Sequence, residues 1–453
     1  VEAGMEYGPV TEGNGVAVLS IDQRKRLLPA IITRMVMGSE SIHPWHGNQG
    51  VASVRDMSGE TLLSASDFEI AKEIADQMDG EMGWKPVVSA YDVLDVRERV
   101  QSILEARTDA RAGKKGIMML KDKGGCGYWR MVLPARYMDR KGIYIDITDS
   151  SVKFESLMEY DTIFVQRLHD WDSFYLLERL KKVGKRIIYD IDDDLFSIPE
   201  SNPAHKMIGR NEQMAVVECM KLADVVTTTT EVLQKRLAGV LDGVVPIVIP
   251  NAIEIEGWIP TPLTGNHDGL KRIFWQGSST HEEDWKECFE AVEHIMKQRI
   301  DVRLVLMGFL PVCVRDKMNE AHFRGRIEHL ESLDPEAYFR IIKHIRAEVG
   351  LAPLAYNNFN HAKSNIKWME NSMIGMPTVS SDVGVYNFDG GVEGFKCETT
   401  EEWIDAIQTC LDNSFSRVGM VENARKRIRG ELDIRNIAKI WKSVLCGVAN
   451  SNF

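Results

Sequence analysis

The sequence predicts an α/β protein built on two doubly wound parallel sheets. Three observations carry this expectation. From Gly116 onward, short apolar and β-branched runs alternate with stretches of helical spacing, the pattern of parallel strands joined by crossover helices. Between residues 252 and 270 the alternation gives way to prolines, glycines and polar residues, the composition of an interdomain linker. From Lys271 the alternation resumes, so the chain carries two such halves.

Length and composition fit this reading. A chain of 453 residues, 44% hydrophobic and 27% charged, has room for two or three domains of ordinary globular type. No run approaches 18 consecutive apolar residues, and no basic segment followed by an apolar one opens the chain, so neither a membrane span nor a signal peptide is expected. The expected compartment is the cytoplasm. The seven cysteines are scattered without a CxxC pair and read as reduced core residues. A net charge of -12 argues against broad nonspecific binding to nucleic acid. A local basic groove stays open, since clusters such as Arg425–Arg429 exist.

Residues 1–115 are read as an N-terminal extension of unclear role. A strand is expected in Gly15–Asp22 and helices at Ser66–Met78 and Val93–Ala106. His43 and His46 lack a nearby third ligand and read as a loop, not a metal site. The polar stretch Arg107–Lys115 reads as a linker.

The first Rossmann-like half is expected at 116–255. Gly116–Leu120 is a strand that runs into a Gly-rich turn at Gly124–Gly127, then a helix through Met138. Such a turn lets backbone approach a ligand closely. It lacks both GxGxxG and P-loop spacing, and a structural tight turn is the alternative. Strands follow at Asp161–Gln166 and Arg186–Tyr189, ending at Arg167-Leu-His169 and at Asp190-Ile-Asp-Asp-Asp194. Ligands in open α/β sheets lie beyond such carboxyl ends. Four aspartates in five residues repel one another unless they meet a cation, water or a polar substrate. A divalent cation and a helix cap are two readings, and a cap accounts for only one or two of the four. Strands at Ala223–Thr230 and Val244–Asn251 complete the half, with a helix at Glu231–Leu241 between them.

The second half is expected at 270–430. A strand from Lys271 enters the loop Gly277-Ser-Ser-Thr280, whose Gly277, Ser278 and Ser279 could donate to phosphate oxygens; an ordinary capped helix is the alternative. Glu282, Glu283 and Asp284 read as favourable charges in the first turn of the next helix. Strands are expected at Val302–Met307, Arg326–Leu330, Val349–Pro353 and Thr378–Ser381. A helix from about Ser364 precedes the Gly375-Met-Pro377 break. At 100° per residue Lys363, Lys367 and Glu370 fall on one face of that helix. Two ammonium groups beside free backbone N–H groups suit a diphosphate, and a carboxylate one turn on suits ribose hydroxyls. A solvated charged face is the alternative. Helices are expected at Glu401–Leu411, Arg417–Arg429 and Ile434–Val448, and the last segment, 431–453, is expected to pack back across the domains.

With Asp190-Ile-Asp-Asp-Asp194 in one half and Ala352-Pro-Leu354, Asn360, Lys363-Ser-Asn-Ile-Lys367 and Glu370–Pro377 in the other, the sequence resembles the GT-B glycosyltransferases. More narrowly it is similar to family 4, the "group 1" retaining enzymes, and to their divergent bacterial and phage members. The resemblance spans about 116–445. It implies two Rossmann-like domains facing a cleft and transfer of a sugar from a nucleoside diphosphate sugar, UDP-sugar being the expected donor. It further implies that Glu370 binds the donor ribose, that Lys363 and then Lys367 contact the diphosphate, and that Gly125 and Gly127 lie near the donor. Asp192 or Asp193 would position or deprotonate the acceptor hydroxyl, and no metal or other cofactor would be required. One departure stands out: the family's second Glu, eight residues before the ribose Glu, is Ala362 here. Three functions follow for testing: a glycosyltransferase acting on a glycan or similar hydroxyl acceptor, the same chemistry on a hydroxymethylated base in DNA, and a binding or structural protein that kept the fold.

Overall fold

The computed structural model describes residues 115–122, 124–139, 144–255, 268–342 and 344–447, with three short strands at 16–18, 53–55 and 61–64. The chain divides into two compact units, 1–112 and 113–453. In the first unit, β1 (Val16–Val18), β2 (Ser53–Arg55) and β3 (Thr61–Ser64) form a small mixed sheet. The helices expected at 66–78 and 93–106 and the His43/His46 loop lie outside the described residues.

The second unit holds two six-stranded parallel sheets. The first contains β4 (Lys115–Leu120), β5 (Tyr144–Asp149), β6 (Thr162–Gln166), β7 (Arg186–Ile191), β8 (Val225–Thr228) and β9 (Ile247–Val248), in the order β5-β4-β6-β7-β8-β9. The second contains β10 (Lys271–Gly277), β11 (Val302–Gly308), β12 (Ile327–Leu330), β13 (Val349–Ala352), β14 (Thr378–Ser381) and β15 (Phe395–Cys397), in the order β12-β11-β10-β13-β14-β15. The strand order reverses at β4/β6 in one sheet and at β10/β13 in the other, and such switch points open a crevice at the strand carboxyl ends.

Side chains alternate between cores with the period of a strand. Ile117, Met119, Ile163, Val165, Ile187 and Tyr189 pack on one face of the first sheet. Met118, Phe164 and Ile188 point the other way, into a core shared with Phe274, Val305 and Met307 of the second sheet and with the C-terminal helix. Ile273, Trp275, Leu304 and Leu306 fill the far face of the second sheet. The central strands β6, β13 and β14 are buried throughout, as parallel strands covered on both faces must be.

The principal helices are α1 (Leu133–Asp139), α2 (Trp171–Lys182), α3 (Arg210–Leu222), α4 (Glu231–Val240), α5 (Phe289–Gln298), α6 (Ile366–Ile374), α7 (Thr400–Asp412), α8 (Ser414–Glu431) and α9 (Ile434–Cys446). Asp170, Thr230, Thr399 and Asn413 each accept a backbone N–H at the helix N-terminus that they precede, satisfying donors that the helix leaves free. Helix α9 returns to the first sheet. Trp441 packs on Phe164 with ring centroids 6.2 Å apart, and Arg186 donates to the terminal carbonyls of Val444 and Leu445 at 2.7 and 2.6 Å.

Asp190 is not beyond its strand as expected. It is the penultimate residue of β7, fully buried, and it meets the fully buried Arg130 in a two-pronged ion pair of 3.0 and 2.7 Å. Thr227 of β8 donates to the same carboxylate at 2.6 Å. Arg130 also donates to the carbonyl of Ile249 and to Asn251 and lies over the Trp441 ring. Removing one partner of such a pair leaves a buried charge alone, so Arg130→Met should lower unfolding free energy by about 3–5 kcal/mol. Urea melts of that variant and of Arg130→Met/Asp190→Leu check this, with the double variant expected to regain much of the loss.

Candidate active site

The carboxyl ends of both sheets face one cleft of about 720 Å³. From the first half its lining includes Gly124–Cys126, Arg167, Asp192 and Asp193; from the second, Gln276–Ser278, Thr280, His281, Lys363, Lys367 and Glu370. Gly125, Gly277, Ser278, Asp192, Asp193, Lys363, Lys367 and Glu370, singled out from the sequence, therefore meet at one place. Gly127 and Ser279 are not part of that lining. Gly127 is buried behind the loop, and Thr280 takes the position in the wall that Ser279 was expected to occupy.

Helix α6 is fixed against β13 because Gly350 has no side chain: a Cβ there would fall 2.4 Å from the amide of Asn371. Arg425 donates to the carbonyls of Ser372 and Met373 at 2.8 Å each, and Gly375 closes the helix with φ +93°, so the C-terminus is capped. Its N-terminus is left pointing at the cleft. Lys363 is not on this helix, as the 100° spacing assumed. It precedes the first turn, after a short helix Asn358–His361 inside the expected loop, and its ammonium lies 4.6 Å from the Phe359 ring centroid.

Glu370 is 2% exposed and accepts from Gln276 Nε2 at 2.6 Å. Burial pushes its carboxyl up to about 8, against the pull of Tyr338 and Lys367. Lys367 is lowered to about 7 by burial and by Lys363, with Asp284 and Glu370 opposing. Its ammonium reaches Nε2 of His281 at 3.1 Å, and His281 Nδ1 reaches Asp284 Oδ2 at 2.6 Å. Asp284 is not in the first turn of an α-helix. The segment after the Gly277 loop forms two 3-10 turns, Ser279–His281 and Glu283–Glu287, and the buried Asp284 accepts from the Ala355 N–H and from Asn360, both at 2.8 Å. Burial raises Asp284, but the hydrogen bond from His281 brings it below the ordinary carboxyl range. His281 is driven down to about 3 by burial and by Lys367.

On the opposite wall, Arg167 binds three aspartates: Asp122 at 2.7 Å, Asp193 at 2.8 Å and Asp192 at 3.4 Å. Its φ of +33° is costly for a side-chain-bearing residue, on the order of 1–3 kcal/mol, and such strain is held where the surroundings fix it. Here Arg167 N–H is tied to the Asp190 carbonyl at 2.8 Å. Asp192 is raised by burial more than Arg167 lowers it. Asp193 is raised by burial but lowered further by Lys363 and Arg167, so it stays ionised. Asp194 faces away, paired with Arg236. Ligand atoms of Cys126, Asp192 and Asp193 lie within 4.8 Å of one another, but a dication placed among them would face the fixed charge of Arg167.

Ala362 is fully buried in the core of the first half, and its carbonyl accepts from Thr230 at 3.0 Å. With Asn251 donating to Ser364 at 2.8 Å, this contact ties the halves together. A carboxylate at 362 would have to enter that apolar contact, so the position serves packing in this chain. The sequence reading missed Arg167 as the centre of the aspartates and missed His281 and Asp284 as partners of Lys367. The spacing of His281 and Asp284 just after a strand was the available signal.

No protein-family model matches the chain, and no curated protein matches it in sequence. Solved structures do match in fold. The Anabaena protein HepE in complex with UDP-glucose superposes with a TM-score of 0.57 at 11% identity, covering 74% of this chain and 100% of that one. Sucrose-phosphate synthase from Thermosynechococcus elongatus gives 0.55 at 15% identity, with 74% and 100% covered. An α-glucosyltransferase in complex with UDP-glucose and DNA containing an abasic site gives 0.54 at 12% identity, with 74% and 99% covered. The chain has the GT-B fold: two doubly wound domains with a cleft between their strand carboxyl ends.

Two predictions follow from this geometry. A Cβ on Gly127 would lie 2.1 Å from the Asp122 carbonyl oxygen, whereas at Gly125 it would meet nothing within 4 Å. Gly127→Ala should cost ~1–3 kcal/mol or more and Gly125→Ala close to nothing, as compared by thermal melts. Glu370 is raised in the folded state, so the stability it contributes is present below about pH 4.5, its ordinary value, and is lost as pH rises toward 8. Glu370→Gln should therefore be more stable than wild type at neutral and alkaline pH, with a gain growing by roughly 1 kcal/mol per pH unit between pH 5 and 8; urea melts at pH 5 and pH 8 measure it.

Proposed function

We propose that this protein is a glycosyltransferase that moves a sugar from a nucleoside diphosphate sugar, UDP-sugar being the expected donor, to an acceptor hydroxyl. The observation that carries the reading is the convergence of Lys363, Lys367 and Glu370 at the free N-terminal end of α6, across one cleft from Asp192 and Asp193. Two ammonium groups and helix N–H groups there suit the diphosphate and stabilise the charge that develops as it leaves. Glu370, oriented by Gln276, accepts from ribose hydroxyls. Gly277, Ser278 and the loop at Gly124–Cys126 bring backbone N–H groups close to donor phosphates and sugar. The positive charge comes from side chains, and neither a metal ion nor another cofactor is part of this proposal.

Asp192 and Asp193 divide the work on the acceptor side. Asp193 is ionised and held by Arg167, which suits orienting a hydroxyl. Asp192, buried and raised, is the better proton acceptor of the two. Retention of configuration is proposed on the family resemblance alone. The free cysteines agree with a reducing compartment such as the cytoplasm, and no helix among the described residues is long and apolar enough to cross a membrane.

For the acceptor, a glycan or other small hydroxyl compound is favoured over duplex DNA, although one structural neighbour is in complex with DNA. The first-half wall presents Leu195, Ile198, Met207 and Ile208 to the cleft. Its described lysine and arginine, Lys121 and Arg167, are already held by aspartates, leaving little for phosphates to pair with. The test is release of UDP from UDP-sugars with a panel of hydroxyl acceptors. Lys363→Met and Lys367→Met should each lower kcat/KM by about 10²–10³. Asp192→Asn should lower kcat while leaving UDP affinity within about twofold; loss of UDP affinity in that variant would remove Asp192 from the acceptor side.

A further inference from the structure

We infer that His281 and Asp284 are positioning residues for the donor diphosphate: Asp284 holds His281 as a neutral imidazole with its Nε2 lone pair toward Lys367, and that lone pair favours the ammonium form of Lys367 and aims it at the phosphates. The inference rests on the donor site proposed above and adds to it a pair of residues that act through Lys367.

The tautomer follows from the chain of contacts. Asp284 is tied by two donors, the Ala355 N–H and Asn360 Nδ2, so its remaining oxygen is an acceptor for His281 Nδ1 at 2.6 Å. Nδ1 then carries the imidazole proton and Nε2 carries a lone pair. An ammonium has three donors and no acceptor, so the 3.1 Å contact between Lys367 and Nε2 has one direction, from lysine to histidine. One N–H is thereby fixed and two remain for phosphate oxygens. The ring of His281 stands edge-on to Trp275, with centroids 6.4 Å apart, and Trp275 also lies under the ammonium, 5.7 Å from its ring centroid. The imidazole therefore cannot swing away without losing packing in the second core.

The chain answers an electrostatic problem specific to this site. Lys367 is buried and has Lys363 on one side. The groups that face it are Lys363, Glu370, His281 and, through His281, Asp284. Without an acceptor of its own, the amine would give up its proton more readily and more often present a lone pair to an incoming diphosphate. A neutral imidazole provides that acceptor. A carboxylate in direct contact would also keep the lysine charged but would repel the phosphates, and placing Asp284 one ring further away avoids this.

The test measures UDP affinity by calorimetry between pH 5.5 and 8.5 for wild type, His281→Phe and His281→Gln. Taking the ratio of wild type to variant at each pH cancels the ionisation of UDP and of Glu370. Losing a hydrogen bond to a charged group lowers the lysine's proton affinity by about tenfold. His281→Phe should therefore bind within about twofold of wild type at pH 5.5 and about tenfold more weakly at pH 8. His281→Gln, whose amide oxygen can accept from lysine, should regain most of the affinity at pH 8. A loss of equal size at both pH values, or no rescue by glutamine, overturns the inference while leaving the donor site standing. Failure of wild type to bind UDP, GDP or ADP overturns both.

Discussion

A guanidinium with no access to water sits at the centre of this fold. Arg130 closes on Asp190 from β7, on the end of the strand before the linker through Ile249 and Asn251, and on Trp441 from the returning C-terminal helix. An isolated charge at this depth would be prohibitive, so each of these elements has to be present for the others to be stable. Asn251 passes the constraint onward by donating to Ser364, one residue after Lys363. The residue that terminates the first half thus helps to place the cations of the second. A cleft between two domains is ordinarily a place of looseness; this one is spanned by Asn251–Ser364 and by Thr230–Ala362.

Around that frame the walls of the cleft carry opposing electrical problems. On the first-half side three carboxylates share one arginine held at a costly backbone angle. On the second-half side a lysine and a glutamate are both buried far enough that each is pushed toward neutrality. Such groups weaken the folded protein and are kept where a ligand relieves them. A diphosphate would favour the charged lysine and ribose hydroxyls the charged glutamate, so donor binding would turn a destabilised pair into a satisfied one.

Much of the architecture was legible because parallel strands buried on both faces leave continuous apolar runs, as in Ile163–Val165 and Leu304–Met307. In the two six-stranded sheets, the strands that sequence reading missed, β5 and β15, each lie at an edge. Edge strands are covered less completely and mix polar with apolar residues, as Tyr144–Asp149 does, so the run disappears. Helix α3 was missed as well; it follows an irregular segment and its polar face is broad. At the site, Lys367 and Glu370 were legible from spacing on one helix. Lys363 also lines the cleft, but from a position before the helix and not from the helical face that the spacing assumed. Asp190 was read with its neighbours as one acidic cluster, although it lies within β7 and is held in the core by Arg130, while Asp192 and Asp193 lie past the strand end and line the cleft. Arg167, His281 and Asp284 act through partners more than 20 residues away or through a 3-10 turn, neither of which helical or strand periodicity encodes.

The central claim, that the free end of α6 binds the nucleoside diphosphate of a sugar donor, is tested most directly by thermal unfolding with UDP, GDP and ADP for wild type and Glu370→Ala. A nucleotide at about 100 times its dissociation constant should stabilise wild type by about 2.7 kcal/mol and should fail to stabilise the variant. If no nucleotide or nucleotide sugar raises the wild-type midpoint, the donor-site account is contradicted and a binding or structural role for the fold takes its place.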